Sequence, residues 1–234
     1  MTPLFDRLVE LSQLPLIRLD MPGHHGHPAP GLAFWPAHLD VTEHPATGDL
    51  FDPEADDPIA AAQALWAKAV GMESCLFLTG GSTQGIHAAL ALTAGMGGEV
   101  LLDRGSHRSV FNALALLDLT PHYLPRPWLA EEGVTGPIQP QDVDQALKNH
   151  PNIKTVCITS PTYYGMLSDI PAIAAICHAH GAKLMVDGAH GAHLPFLEVD
   201  AFSGADGVVV SAHKTLPALG QSAQIGRASC RERV

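Results

Sequence analysis

Five short apolar runs, at 75–78, 100–102, 156–158, 184–186 and 208–210, constrain this chain more than any other feature of its sequence. Each is only three or four residues long, which suits a strand covered on both faces rather than a helix. Stretches with helical spacing lie between them, at 82–94, 109–117, 141–148 and 171–180. Strand alternating with helix predicts an α/β fold, a mostly parallel sheet sandwiched by helices, because parallel neighbours need a crossover between them.

The residues just after each run are as informative as the run itself. In order, the chain reads "TGGSTQG", "DRGSH", "TSPTYYG", "DGAHGAH" and "SAHK". Ligands of open α/β sheets bind beyond the carboxyl ends of the strands, and all five ends here carry small, polar or ionisable residues. In "LTGGSTQGIHAAL" two glycines precede Ser82 and Thr83 at a helix start, where backbone N–H groups and hydroxyls can receive a phosphate. The same pattern serves an ordinary helix cap, and the GK[ST] of a nucleotide-triphosphate loop is missing. Asp187 ends the fourth run, where a carboxylate either caps a turn or partners a protonated ring nitrogen. Lys214 comes after the fifth, and a desolvated lysine amine near cationic groups loses its proton and becomes a nucleophile. An anion cradle, an acid and an amine, each at a strand end, jointly point to pyridoxal 5'-phosphate.

Composition narrows the alternatives. The net charge of −11 argues against a nucleic-acid groove, which needs clustered basic residues. No apolar run approaches the ~18 residues that span a bilayer, and the N-terminus lacks a basic region followed by an apolar stretch. Cys75, Cys157 and Cys177 sit in apolar segments without CxxC spacing, which predicts a reducing, cytoplasmic setting.

Residues 1–14 read as a short amphipathic helix with Leu4, Phe5, Leu8 and Leu11 on one side. A second helix is expected from Pro58 to the stop at Gly71, with Asp57 as its cap. Segments 21–45 and 121–140, rich in Pro, Gly and His or otherwise irregular, read as loops with short strands at most. The organisation expected is an N-terminal helix and loop segment at 1–50 and a cofactor-binding large domain at 51–224. The last ten residues, "IGRASCRERV", break with the preceding pattern and carry three arginines and Cys230. Their back-translation resembles a sequencing adapter, so 225–234 is expected to be an artefact; without it the net charge would be −13, since three Arg and one Glu leave.

The motifs "MPGHHGH", "TGGSTQG", "DRGSHRSV", "SPTYYG", "VDGAHGAH" and "SAHKTLPALGQSA" resemble successive elements of the bacterial ornithine/lysine/arginine decarboxylase family. The resemblance runs through nearly everything up to Gln224. It implies the aspartate-aminotransferase fold, pyridoxal phosphate, a homodimer or higher homo-oligomer, and decarboxylation of a basic amino acid to its amine and CO2. By position it implies that Lys214 carries the cofactor covalently, Asp187 holds its ring nitrogen, and Ser82, Thr83 and Ser211 bind its phosphate with His213 beside them. His107 would stack on the ring, and His190 would lie near its oxygen side. Gly188 stands where many relatives carry Glu, and His25 where they usually carry Lys, in a loop that resembles one at the substrate entrance.

Other readings remain open at this level. A pyridoxal-phosphate-dependent aminotransferase or lyase would share every motif, because the reactions differ only in which substrate bond is aligned. A metal-dependent hydrolase could use Asp187, His190 and His193, spaced D-x-x-H-x-x-H, or the cluster His24, His25 and His27. If the chain ends near Gln224, the small C-terminal domain typical of the fold is missing, and this piece alone is expected to be poorly soluble and inactive.

Overall fold

The computed structural model describes residues 2–19, 21–42, 47–50 and 57–228. The chain divides into two compact units, 1–66 and 67–234. In the first, α1 (Pro3–Ser12) starts with proline in its first turn and buries none of its residues. The Asp6 carboxylate accepts hydrogen bonds from the Thr2 hydroxyl and backbone N–H, and these hold its pKa below the usual range. The described part of the segment read as a loop, 21–42, consists largely of turns, with a 3-10 turn at Ala37–Leu39. It is tied by His24 to the Asp40 carboxylate at 3.2 Å and by Arg18 to the Asp40 carbonyl at 2.9 Å. Helix α2 (Pro58–Ala69) crosses the division, and Gly71 comes after it with φ +72°, a conformation that ends helices at little cost for glycine.

The second unit contains strands β1 (Met72–Leu78), β2 (Glu99–Asp103), β3 (Thr120–Leu124), β4 (Trp128–Leu129), β5 (Val134–Thr135), β6 (Thr155–Thr159), β7 (Lys183–Asp187), β8 (Gly207–Ser211) and β9 (Ala223–Ala228). Its helices are α3 (Gly81–Ala94), α4 (Arg108–Leu116), α5 (Pro140–Asn149), α6 (Ile170–Ala179) and the single turn α7 (Ala212–Thr215). β4 and β5 form a separate hairpin, and the other seven strands make one sheet in the order β1-β9-β8-β7-β6-β2-β3. All neighbours from β8 to β3 are parallel, whereas β9 runs antiparallel to both β8 and β1. Two reversals cancel, so β1 points the same way as β8. The carboxyl ends of β1, β2, β6, β7 and β8, the five runs seen in the sequence, therefore share one edge.

Strand alternation sorts the core into two layers. Val156, Ile158, Leu184, Val186, Val208 and Val210 pack with Val143, Leu147, Ile170 and Ile173 of α5 and α6. Val100, Leu102, Cys157, Met185 and Val209 pack on the other face with Ile86, Leu90, Val110 and Ala113 of α3 and α4. Burial on both faces is why these strands appear as uninterrupted apolar runs.

Two strands depart from expectation. β3 lies within the segment read largely as loop, yet it pairs along its full length with β2. Pro121, which lowers strand propensity, is tolerated because β3 is the edge strand and the missing N–H breaks no ladder on the outer side. β9 escapes notice because it mixes polar and small residues; its residues 225–228 belong to the segment read as an artefact, and they pair through backbone groups that any non-proline residue carries. Residues 229–234, including Cys230, lie outside the described part.

Candidate active site

The side chains of Asp187 and Ser211 fall on the α3/α4 face of the sheet, because each stands two residues beyond a core residue of that face, Met185 and Val209. Asp187 lies in register between Val209 of β8 and Thr159 of β6. On the same face α3 begins at the end of β1, and Gly85 lets it approach closely: a Cβ there would lie 2.6 Å from Leu78 Cδ1 and 2.8 Å from Val209 Cγ1. That contact brings the helix start to β8, and the Ser211 hydroxyl donates to Ser82 Oγ at 2.9 Å. Ser82 is half-buried and Thr83 exposed.

Asp187 is 3% exposed. Its Oδ1 accepts the Ala189 N–H at 3.2 Å, and no described side-chain cation is within ion-pairing distance. Burial raises its pKa, partly opposed by that N–H and by the fields of Lys214 and His107. The backbone around it is pinned on both sides: the Ser160 N–H donates to the Asp187 carbonyl at 3.1 Å, and the Gly188 N–H donates to Val209 at 2.8 Å.

Lys214 occupies α7, just past β8, with Nζ 3.4 Å from His190 Nε2. It is exposed in this chain, not desolvated as the apolar run before it suggested, because the single turn carries it beyond the covered part of the sheet. Burial and the neighbouring Lys214 ammonium lower the pKa of His190, which favours its neutral imidazole. Its ring also meets the edge of Tyr163 at 5.8 Å. His213 turns away to the Ser222 carbonyl, 3.0 Å from Nδ1. His107 caps α4: its Nδ1 accepts the Ser109 N–H at 3.2 Å and lies 2.9 Å from the Ser109 hydroxyl, and its ring is exposed.

Sequence reasoning missed a buried support behind this face. Asp103, fully buried at the end of β2, accepts Arg126 Nη2 and the Thr159 N–H at Oδ2, both at 2.8 Å. The same Nη2 reaches the Thr159 carbonyl at 2.7 Å, and Nη1 reaches the Gly136 carbonyl at 2.9 Å. The clamp thus fixes Thr159, the ladder neighbour of Asp187. Asp103 ends an apolar run and was visible to that extent; Arg126 stands in an irregular segment with no local signal.

Gly188 has a packing role rather than one of backbone freedom. Its φ is not positive, and a Cβ would lie 2.9 Å from Phe202 Cε1. Cys75, Cys157 and Cys177 are buried free thiols; burial raises the pKa of Cys75 and of Cys177 to about 12 and pushes that of Cys157 up as well, which makes all three poor nucleophiles.

The sequence alternative that placed a metal on Asp187, His190 and His193 finds no support in geometry. Among the described residues these three do not bring ligand atoms within 4.8 Å of one another, and neither do His24, His25 and His27. The donor set fits pyridoxal phosphate instead: a buried carboxylate without a cationic partner, hydroxyls at a helix start, and an amine at the rim of the same sheet edge.

The fold is that of fold type I, the architecture of pyridoxal-phosphate-dependent enzymes, and the donor set fits that cofactor. A family model described as Orn/Lys/Arg decarboxylase, major domain, matches residues 2–232, and the chain belongs to that family, whose cofactor is pyridoxal phosphate. It is 33% identical to the uncharacterised protein YaaO of Bacillus subtilis, covering 98% of this chain and 50% of that one. Arginine decarboxylase of Bacillus cereus is 30% identical, with coverage of 94% and 50%. Lysine decarboxylase A from Pseudomonas aeruginosa shares the fold at a TM-score of 0.80 and 22% identity, over 97% of this chain and 35% of that structure. The chain therefore spans about half the length of the curated relatives it matches.

Proposed function

We propose that this chain is the cofactor-binding part of an enzyme that removes the α-carboxylate of lysine, ornithine or arginine as CO2. The observation that carries the reading is the convergence at one sheet edge. The Ser211–Ser82 hydrogen bond, the Asp187–Val209 pairing and the Lys214–His190 contact join three distant parts of the sequence within a few strand spacings.

When bound, pyridoxal phosphate supplies an electron-poor ring that accepts the electron pair left when the carboxylate departs. Each residue then has a defined task. Lys214 Nζ would hold the cofactor as its attachment point and, in its protonated form, could deliver a proton to carbon. Asp187 would hold a proton on the ring nitrogen, and its burial would make that pairing stronger than in water. Ser82, Thr83 and Ser211 would hold the phosphate, with the first turn of α3 adding backbone N–H groups, whereas His213, turned to the Ser222 carbonyl, would act there only after a change of rotamer. His107, anchored through Nδ1, would stack its exposed ring on the cofactor. Neutral His190 is positioned to exchange a proton with Lys214.

The family description and the relative named arginine decarboxylase support a basic amino acid as substrate. A homodimer in the cytoplasm belongs to the same proposal; no described helix is long and apolar enough to cross a membrane. Borohydride treatment of the chain with pyridoxal phosphate, followed by peptide mass spectrometry, should mark Lys214. A mark elsewhere, or none, overturns the site. CO2 and keto-acid release from the three amino acids by the longer protein then decide the reaction: keto acid without CO2 makes it an aminotransferase.

A further inference from the structure

On the opposite end of β2 from the proposed cofactor site, three residues from three elements converge. Glu99 opens β2, His122 lies in β3 and His150 comes just after the last turn of α5. The Glu99–Thr120 and Leu101–His122 register places Glu99 and His122 diagonally on the sheet face that α5 covers. His122 Nε2 is 2.8 Å from Glu99 Oε2, and the imidazoles of His122 and His150 approach to 4.0 Å between centroids. One ligand atom from each of the three lies within 4.8 Å of the others, the only such group of three among the described residues.

We propose that Glu99, His122 and His150 form a site for a divalent transition ion of zinc type. Two imidazoles and one carboxylate are a ligand set of borderline softness, suited to zinc and poor for magnesium or calcium. Tetrahedral coordination with ~2.0–2.1 Å bonds sets ligand atoms about 3.3 Å apart. The Glu99–His122 pair needs to open slightly, and the remaining separations close by at most about 1.5 Å from their 4.8 Å limit. The movement falls on His150, which is exposed just past the end of α5, whereas Glu99 and His122 are held on paired strands. His122 and His150 also line a cleft of about 510 Å³ with Asp142, Gln145 and Asn149. It leaves room for a water as the fourth ligand. An ion here would clip the edge strand β3 and the end of α5 to β2. Because β2 rises ~3.3 Å per residue, it would do so some 13 Å from the carboxyl-end rim and leave the cofactor residues untouched.

The test titrates the chain, loaded with pyridoxal phosphate, with Co2+ followed by its ligand-field absorption, and then displaces the Co2+ with Zn2+. One equivalent should bind with a low-symmetry spectrum and be displaced. Glu99→Gln and His150→Ala should each weaken binding about tenfold or more, with far-ultraviolet circular dichroism unchanged. His150 is exposed, so its variant tests the site without a core substitution. No bound equivalent, or equal affinity in the parent and both variants, overturns the proposal; the latter would place the ion at other histidines.

Discussion

Replacing Arg126 with methionine is expected to cost more stability than any single substitution at the rim of the sheet. Its side chain is 3% exposed and Asp103 fully buried, so the pair lies in a low-dielectric setting. Methionine keeps most of the apolar stem but removes three hydrogen bonds, to Asp103, Thr159 and Gly136. It leaves the Asp103 carboxylate with only the Thr159 N–H at Oδ2, while Oδ1 already lacks a partner among the described residues. Removing one member of a buried ion pair costs about 3–5 kcal/mol, against a total stability of about 5–15 kcal/mol for a typical domain. Urea unfolding followed by circular dichroism should show this loss. Adding Asp103→Asn removes the stranded charge and keeps an acceptor for Thr159, so the double variant should recover part of it, a coupling of about 1–3 kcal/mol. A loss under about 1 kcal/mol in the single variant, or strict additivity in the double, would refute the view of the clamp as a coupled buried unit.

Other consequences concern the site itself. Gly85→Ala places a methyl 2.6 Å from Leu78 and 2.8 Å from Val209, about 1 Å inside ordinary contact. Relief by moving α3 stretches the 2.9 Å Ser82–Ser211 bond, so pyridoxal phosphate affinity should fall about tenfold in a fluorescence titration; unchanged affinity would contradict the close-approach argument. Asp187→Asn should stabilise the cofactor-free chain at neutral pH while weakening its hold on the cofactor. The folded-state pKa of Asp187 is raised by burial, so its penalty is present above that pKa and fades as pH falls toward the unfolded value. Thermal melts across pH should therefore converge under acidic conditions, and a wild-type chain more stable than the variant at neutral pH would contradict this sign.

Much of the fold was legible because its determinants are local. Strands buried on both faces must be apolar along their whole length, and helices between them keep their own spacing, so the alternation and the five polar strand ends could be read directly. Ser82, Asp187 and Lys214 stood out because each interrupts or succeeds such a pattern. The resemblance of these motifs to one decarboxylase family agrees with the family to which the chain belongs. What only the tertiary structure decided depends on pairing between distant segments. β9 enters between β1 and β8 although it is the last of the described strands, and its reversal is what aligns β1 with the other strands. Arg126 reaches Asp103 across 23 residues, and Glu99 meets His122 and His150 from separate elements. Hydrogen bonds and ion contacts of this kind leave no periodic trace, since they require only that two side chains arrive at the same place. The exposure of Lys214 is of the same type: the apolar residues before it describe the strand, but the turn after the strand decides where the amine stands.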